Sequence, residues 1–194
     1  MHISNIQNTI RIGQIGISDK KYSGDKYVLY DYKLKLDYDK SLPKGLKNKH
    51  MAIIYFFVVD GEIYKIGQTS GTSGIQGCMS FYCSAGQDDP GQSRFAINYL
   101  VRQELKQNKK VEIYIKTIPQ VTMKVEGLFG NQVTITTPPS AKAVESACLA
   151  DYVSRTGDHP IWNFQESSRA YPAHIKESFG AYVEMRGKTK NNIQ

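Results

Sequence analysis

Glu145 lies in a stretch, Ala141 to Arg155, that reads as an amphipathic helix, and it shares one stripe with Cys148, Leu149 and Tyr152 at i+3, i+4 and i+7. A carboxylate on an apolar stripe is costly unless a partner holds it. Glu145 is therefore a candidate ligand for a cation. One carboxylate suits Mg²⁺, a hard ion that keeps most of its waters and accepts phosphate oxygens as further ligands. Composition points to the same kind of partner. The 25 Lys and Arg against 18 Asp and Glu leave a net charge of +7, which favours an anionic partner, nucleic acid first. Charge supplies affinity for phosphate and no reaction. Hydrolysing a phosphodiester also needs an activated water, a cation on the non-bridging oxygens and help for the leaving oxygen.

The other chemically able residues are less telling. His2, His50, His159 and His174 have no metal-ligand spacing and read as surface residues, with His159 and His174 secondary candidates for phosphate contact. Cys78, Cys83 and Cys148 are odd in number and form no Cys-x-x-Cys pair, so they read as core thiols. That pattern argues against a disulfide scaffold or structural zinc and makes a reducing cytoplasm the expected compartment. Gly71-Thr-Ser-Gly74 lacks the trailing Gly-Lys-Ser/Thr of a phosphate-binding loop. The stretch from Ser70 to Gly77 reads as a mobile loop.

The elements that must position Glu145 follow from periodicity. Residues 52–69 are two β-rich runs around Asp60-Gly61, a strong hairpin signal, and the first run is apolar on both faces, as an inner strand is. Residues 27–38 include a half-buried strand with Leu34, Leu36 and Tyr38 on one face. Residues 93–107 predict an amphipathic helix that Ser93 can cap, and Val111 to Thr117 alternates as a strand. A second hairpin is expected over about 120–137, and Gly157 ends the Glu145 helix. The order gives an α+β class: a small central antiparallel sheet flanked by helices.

Three regions are expected: a basic N-terminal extension over 1–50 with ten Lys or Arg against five Asp, a domain over 51–165 with the hairpin inserted, and a polar tail over 166–194. The longest apolar run, Ala52 to Val59, is strand-sized, well short of the ~20 residues of a membrane helix. The first residues lack the pattern of a secretory signal. No membrane partner is expected.

The run IIYFFVVDGEIYKIGQT resembles the paired signature of the GIY-YIG nucleases, in which a first tyrosine and a second Tyr-Ile-Gly lie on adjacent strands. Tyr55 stands at the first tyrosine and Ile66-Gly67 close the second motif. A glutamate on a later helix, Glu145, and a Pro-x-Trp-Asn segment, Pro160 to Asn163, follow in the family's order. The resemblance covers roughly residues 51–165 and is nearest to the phage endonucleases and type II restriction enzymes of that family. It departs at two places. Lys65 precedes Ile66-Gly67 where the family has tyrosine, as in some of its restriction enzymes, with Tyr64 displaced by one. The family's arginine position reads Gln76-Gly77-Cys78-Met79, so Arg94 is the next candidate.

The resemblance implies a Mg²⁺-dependent (or other divalent-cation-dependent) DNA endonuclease. Tyr55 with Lys65 would activate water, Tyr82 would stand at the family's Tyr/His position, Glu145 would hold the metal, Arg94 would clamp phosphate, and Asn163 would fix Glu145. Tyr64, Gln68, Lys33 and Lys35 are the expected contacts to double-stranded DNA, and cutting both strands with one-site subunits favours a dimer or tetramer. Strand register decides whether Tyr55 and Lys65 meet. A two-residue Asp60-Gly61 turn sets Tyr55 opposite Ile66. A three-residue loop sets it opposite Lys65, on one face with it. The rival reading is a non-cleaving DNA-binding module on the same fold, favoured by the missing arginine.

Overall fold

The computed structural model describes residues 1–21, 30, 32–43, 45–46, 52–85, 90–137 and 139–191. After a short 3-10 turn (Ile3–Asn5) come β1 (Ile10–Lys21), β2 (Tyr32–Tyr38), β3 (Ile53–Val59) and β4 (Glu62–Thr69). Helices α1 (Gly74–Cys83) and α2 (Gln92–Lys106) follow, then β5 (Val111–Thr117), β6 (Val121–Glu126), β7 (Gln132–Thr137), α3 (Ala141–Thr156) and α4 (Ala173–Asn191). Strands β1 to β5 form one antiparallel sheet in the order β2-β1-β5-β3-β4, and β6 and β7 form a separate two-stranded sheet. The α+β class with a central antiparallel sheet and flanking helices is what the sequence predicts.

Every residue of β3 is buried, as its two apolar faces require. Ile53, Tyr55, Phe57 and Val59 face one core with Ile75, Met79, Ile97 and Trp162, so α1, α2 and the segment after α3 cover that face. Ile54, Phe56 and Val58 face a second core with Leu149 and Tyr152 of α3 and Ile3 of the N-terminal turn. Ser140 caps α3 by accepting from the Ala143 N–H, and Gly157 ends it at φ 82°.

The structure corrects four expectations. The supposed extension over 1–50 supplies β1 and β2 to the central sheet, where Ile12, Ile15 and Leu34 are buried in the first core; residues 27–29 and 31 of the expected strand lie outside the described residues. The polar tail contains α4, whose Ile175 and Tyr182 are fully buried, with Phe179 and Tyr182 against Phe95 of α2. The loop over 70–77 ends at Ser73, because Ile75, Cys78, Met79 and Tyr82 recur at helical spacing and bury one side of α1. Gly91, not Ser93, is the N-cap of α2, and the Ser93 hydroxyl donates to the Gln165 side chain at 3.3 Å.

The β3–β4 register follows neither sequence alternative. The turn is the two-residue Asp60-Gly61, both in the left-handed region at φ 46° and 87°. One extra residue, Tyr64, then bulges out of β4 between the pairs Val58↔Ile63 and Phe57↔Lys65. Tyr55 therefore lies opposite Gly67, and Lys65 opposite Phe57. Because Tyr55 and Phe57 share a face, Tyr55 and Lys65 also share it, as a diagonal pair.

Candidate functional site

Strand β4 is an edge strand, and unpaired backbone on an edge must be satisfied. Its first half is met by the N-terminal turn, where Met1 O accepts from the Ile63 N–H and the Ile3 N–H donates to Gly61 O. Its second half is met by the segment after α3. The Trp162 N–H donates to Tyr64 O at 2.8 Å, satisfying the bulge carbonyl, and the two rings pack edge-on at 5.0 Å. Asn163, 0% exposed, acts as a stand-in for a strand residue. Its Oδ1 accepts from the Ile66 N–H at 2.9 Å and its Nδ2 donates to Ile66 O at 2.8 Å. The same Nδ2 donates to the Glu166 carboxylate at 3.1 Å. The expected link from Asn163 to Glu145 is thus corrected: its amide is committed to the Ile66 backbone and Glu166, because those atoms flank the open edge.

Tyr55 and Tyr82 are brought together. Their hydroxyls are 2.8 Å apart and their rings meet edge-on. The Tyr55 ring lies across Gly67, where an added Cβ would fall 2.6 Å from Cε2 and closer still to Cζ and the hydroxyl. Only glycine admits the ring there. Burial pushes the Tyr55 phenol well above its ordinary value, with Tyr82, Cys78 and Glu145 adding to the rise. Burial raises Tyr82 as well, against the hydrogen bond with Tyr55. Both phenols hold their protons at neutral pH.

Lys65 is 5% exposed. Burial lowers its ammonium, while Glu166 and Glu145 hold it up. Glu145 is also 5% exposed, and its Oε2 accepts from the Lys142 ammonium at 2.9 Å. Glu166 ends below its ordinary range: burial pushes it up, and Lys65 together with hydrogen bonds from backbone and Asn163 outweighs burial. Helix α3 packs on the second core, but Glu145 acts electrostatically on Tyr55, Lys65 and Tyr82 of the first.

Beside the tyrosine pair is a cavity of about 330 Å³ lined by Tyr55, Gln68, Cys78, Phe81, Tyr82 and Arg94. Arg94 lies over the Phe81 ring at 5.2 Å. Gln68 Oε1 is buried there and has no hydrogen-bond partner among the described residues. Tyr64 is held by Trp162, away from this cavity lining. Lys33 and Lys35 are not brought to the site. They alternate with Leu34 and Leu36, which face the first core, so they project from the other face of β2, four strand spacings or about 19 Å from β4. Lys35 pairs with Asp37 at 2.5 Å. His159 lines a second cavity with Lys142 and Glu166, and the His174 ring packs on Tyr99 at 5.8 Å. A cavity of about 320 Å³ on the opposite face, lined by Lys116, Cys148, Tyr152 and Arg155, holds none of the predicted catalytic side chains.

Sequence reasoning missed Lys142 and Glu166. Each stands three residues from a predicted site residue, and nothing in their types marks them out. Among the described residues no three His, Cys, Asp or Glu side chains cluster as a metal cage. The donor set fits a hard cation held by one carboxylate, with Glu145 the candidate ligand and Glu166 nearby; it does not fit zinc or another metal that needs a full set of protein ligands. No helix among the described residues is long and apolar enough to cross a membrane.

No family model and no curated protein sequence matches the chain. Among solved structures, it is similar to a mutant of bacteriophage T4 EndoII, at 18% identity over 84% of this chain and 98% of that chain, with a TM-score of 0.46. It is also similar to the restriction endonuclease HPY188I in complex with product DNA, at 18% identity over 83% of this chain and 84% of that one, with a TM-score of 0.39.

Proposed function

We propose that this protein is a divalent-cation-dependent DNA endonuclease that hydrolyses phosphodiester bonds, of the restriction or phage type that the sequence signature resembles. The observation that supports the reading is a hydrogen-bonded phenol pair that shares a sheet face with the buried Lys65, while α3, which packs on the same sheet, carries the buried Glu145. Packing alone gives no reason to bury Lys65 and Glu145, since each loses hydration.

In this reading Glu145 would hold Mg²⁺ in place of its Lys142 contact, and the bound cation would supply charge neutralisation at the phosphate. Arg94, on the wall of the tyrosine cavity, clamps a non-bridging oxygen. With phosphate in place Tyr55 first gives up its own proton to solvent, Tyr82 donates to the phenolate that results, and that phenolate takes a proton from the attacking water and is a neutral phenol again. Burial opposes the ionisation of Tyr55, so Lys65 on the same face has the task of supplying positive charge. Gln68 offers its unpartnered acceptor to the water or to a base edge. Asn163 keeps Ile66, and with it Lys65 and Gly67, in register.

The test is nicking of supercoiled plasmid with Mg²⁺. Wild type converts it to open circle, Glu145→Gln lowers the rate at least ~100-fold, and EDTA abolishes it. The second reading, a DNA-binding module that does not cut, has one observation in its favour: α1 offers no basic residue at 76–79. Salt-sensitive duplex binding with no nicking in any divalent metal would establish it instead.

A further inference from the structure

On the sheet face away from the tyrosine pair, the cavity of about 320 Å³ lies between β3, β4, β5, α3 and the N-terminal turn. Its floor is a cross-strand pair, Phe56 of β3 opposite Ile66 of β4, each 2% exposed. Alternation turns their neighbours Tyr55, Lys65 and Gly67 to the other face, so the cavity is separate from the candidate site. Cys148 and Tyr152 of α3 line its wall. The body of a ligand would therefore meet an apolar surface.

One charge is at odds with that surface. Lys116 of β5 stands directly opposite Ile54 of β3, and so projects from this same apolar face. It is half-buried, and its ammonium donates to Gln7 O at 3.3 Å, a neutral acceptor. No carboxylate among the described residues forms an ion pair with it. Asp151, the carboxylate on the lining, is held by Arg155 Nε at 3.2 Å. The charged side chains of the lining are thus Lys116 and Arg155 against Asp151, which leaves one positive charge above an apolar floor. An ammonium with only a carbonyl partner gains from an anion, because a charge-assisted hydrogen bond is about twice as strong as a neutral one. The volume equals that of about ten water molecules, the small end of ligand pockets. A bare inorganic ion would leave the floor uncovered, and a hydrocarbon would leave Lys116 without an anion.

We propose that this cavity binds a small amphipathic organic anion, its apolar body on Phe56 and Ile66 and its carboxylate on Lys116, with Arg155 at the rim. The inference does not depend on the nuclease reading, since none of these side chains belongs to that site.

The test titrates 2-naphthoate, and 2-naphthalenemethanol as its uncharged match, into the full chain and follows amide NMR shifts. Naphthoate shifts the Phe56, Ile66, Lys116 and Cys148 amides together and saturably, and the alcohol needs at least ~10-fold more to do so. Lys116→Met keeps an apolar stem and removes the charge, and it brings the acid down to the affinity of the alcohol. Lys116→Arg retains the preference for the acid. Thermal unfolding checks that each variant keeps its fold, and the comparison of acid with alcohol on wild type needs no variant. The readout needs no nicking, so it stands whether or not the chain cuts DNA. No saturation by about 5 mM, equal affinity for acid and alcohol, or full acid affinity in Lys116→Met would each overturn the proposal. Shifts confined to the exposed β6–β7 sheet or to the tyrosine cavity would overturn it too.

Discussion

Replacing Gly67 with alanine tests whether the Tyr55 ring is held where the structure has it. The new Cβ falls 2.6 Å from Tyr55 Cε2 and nearer to Cζ and the hydroxyl, so the ring must retreat by about 1 Å to reach ordinary contact. It has little room to do so. Tyr55 is 4% exposed, Phe57 and Tyr82 pack on it edge-on at 6.1 Å, and its hydroxyl is bound to Tyr82 at 2.8 Å. Overpacking a core costs about 1–3 kcal/mol, and stretching the phenol hydrogen bond adds about 1 kcal/mol. Gly67→Ala is therefore expected to lose about 2–4 kcal/mol in urea unfolding. Given the role proposed for Tyr55, a displacement of that size is also expected to lower nicking roughly 100-fold. Should the variant unfold within about 0.5 kcal/mol of wild type and nick at its rate, the reasoning about the glycine is refuted.

Asn163→Ala strips both hydrogen bonds from the buried Ile66 peptide groups and one from Glu166, and is expected to cost about 2–4 kcal/mol by urea unfolding. Asn163→Asp is expected to destabilise increasingly as pH rises, since its carboxylate then faces Ile66 O and Glu166. Glu112 reports on the β1–β5 junction. Burial pushes its carboxyl up, but Lys110 and Arg11 more than offset that and hold it below its ordinary range. A depressed carboxyl stabilises the fold above its unfolded value and loses that contribution as pH falls through the folded one. Glu112→Gln is therefore expected to be less stable at neutral pH and to show a shallower loss of stability on acidification, followed by circular dichroism.

The sequence made the centre of the fold legible because β3 and α3 carry their signals locally: an unbroken apolar run, and a stripe bounded by Ser140 and Gly157. It hid what depends on tertiary contact. Strands β1 and β2 read as a basic arm because the ten Lys and Arg of residues 1–50 against five Asp overshadow the few positions, Ile12, Ile15, Leu34 and Leu36, that face the core. Helix α4 read as a tail although Ile175, Phe179 and Tyr182 already stand at i, i+4 and i+7. The bulge at Tyr64 has no signature of its own; Trp162, almost a hundred residues away, satisfies its carbonyl. For that reason neither register considered from the turn alone was the observed one, although the shared face of Tyr55 and Lys65 emerges through the bulge. Glu145 was legible as a misplaced charge, whereas Lys142 and Glu166 are ordinary surface residue types until the sheet edge brings them in.

The central claim is that the Glu145 carboxylate is a cation ligand next to the tyrosine pair. Diffraction from crystals soaked in Mn²⁺, read at the manganese absorption edge, tests it most directly. The account predicts an anomalous peak about 2.0–2.3 Å from a Glu145 oxygen, with the Lys142 ammonium displaced from it. A saturating soak that leaves the Glu145–Lys142 pair intact, with metal only elsewhere, would contradict it.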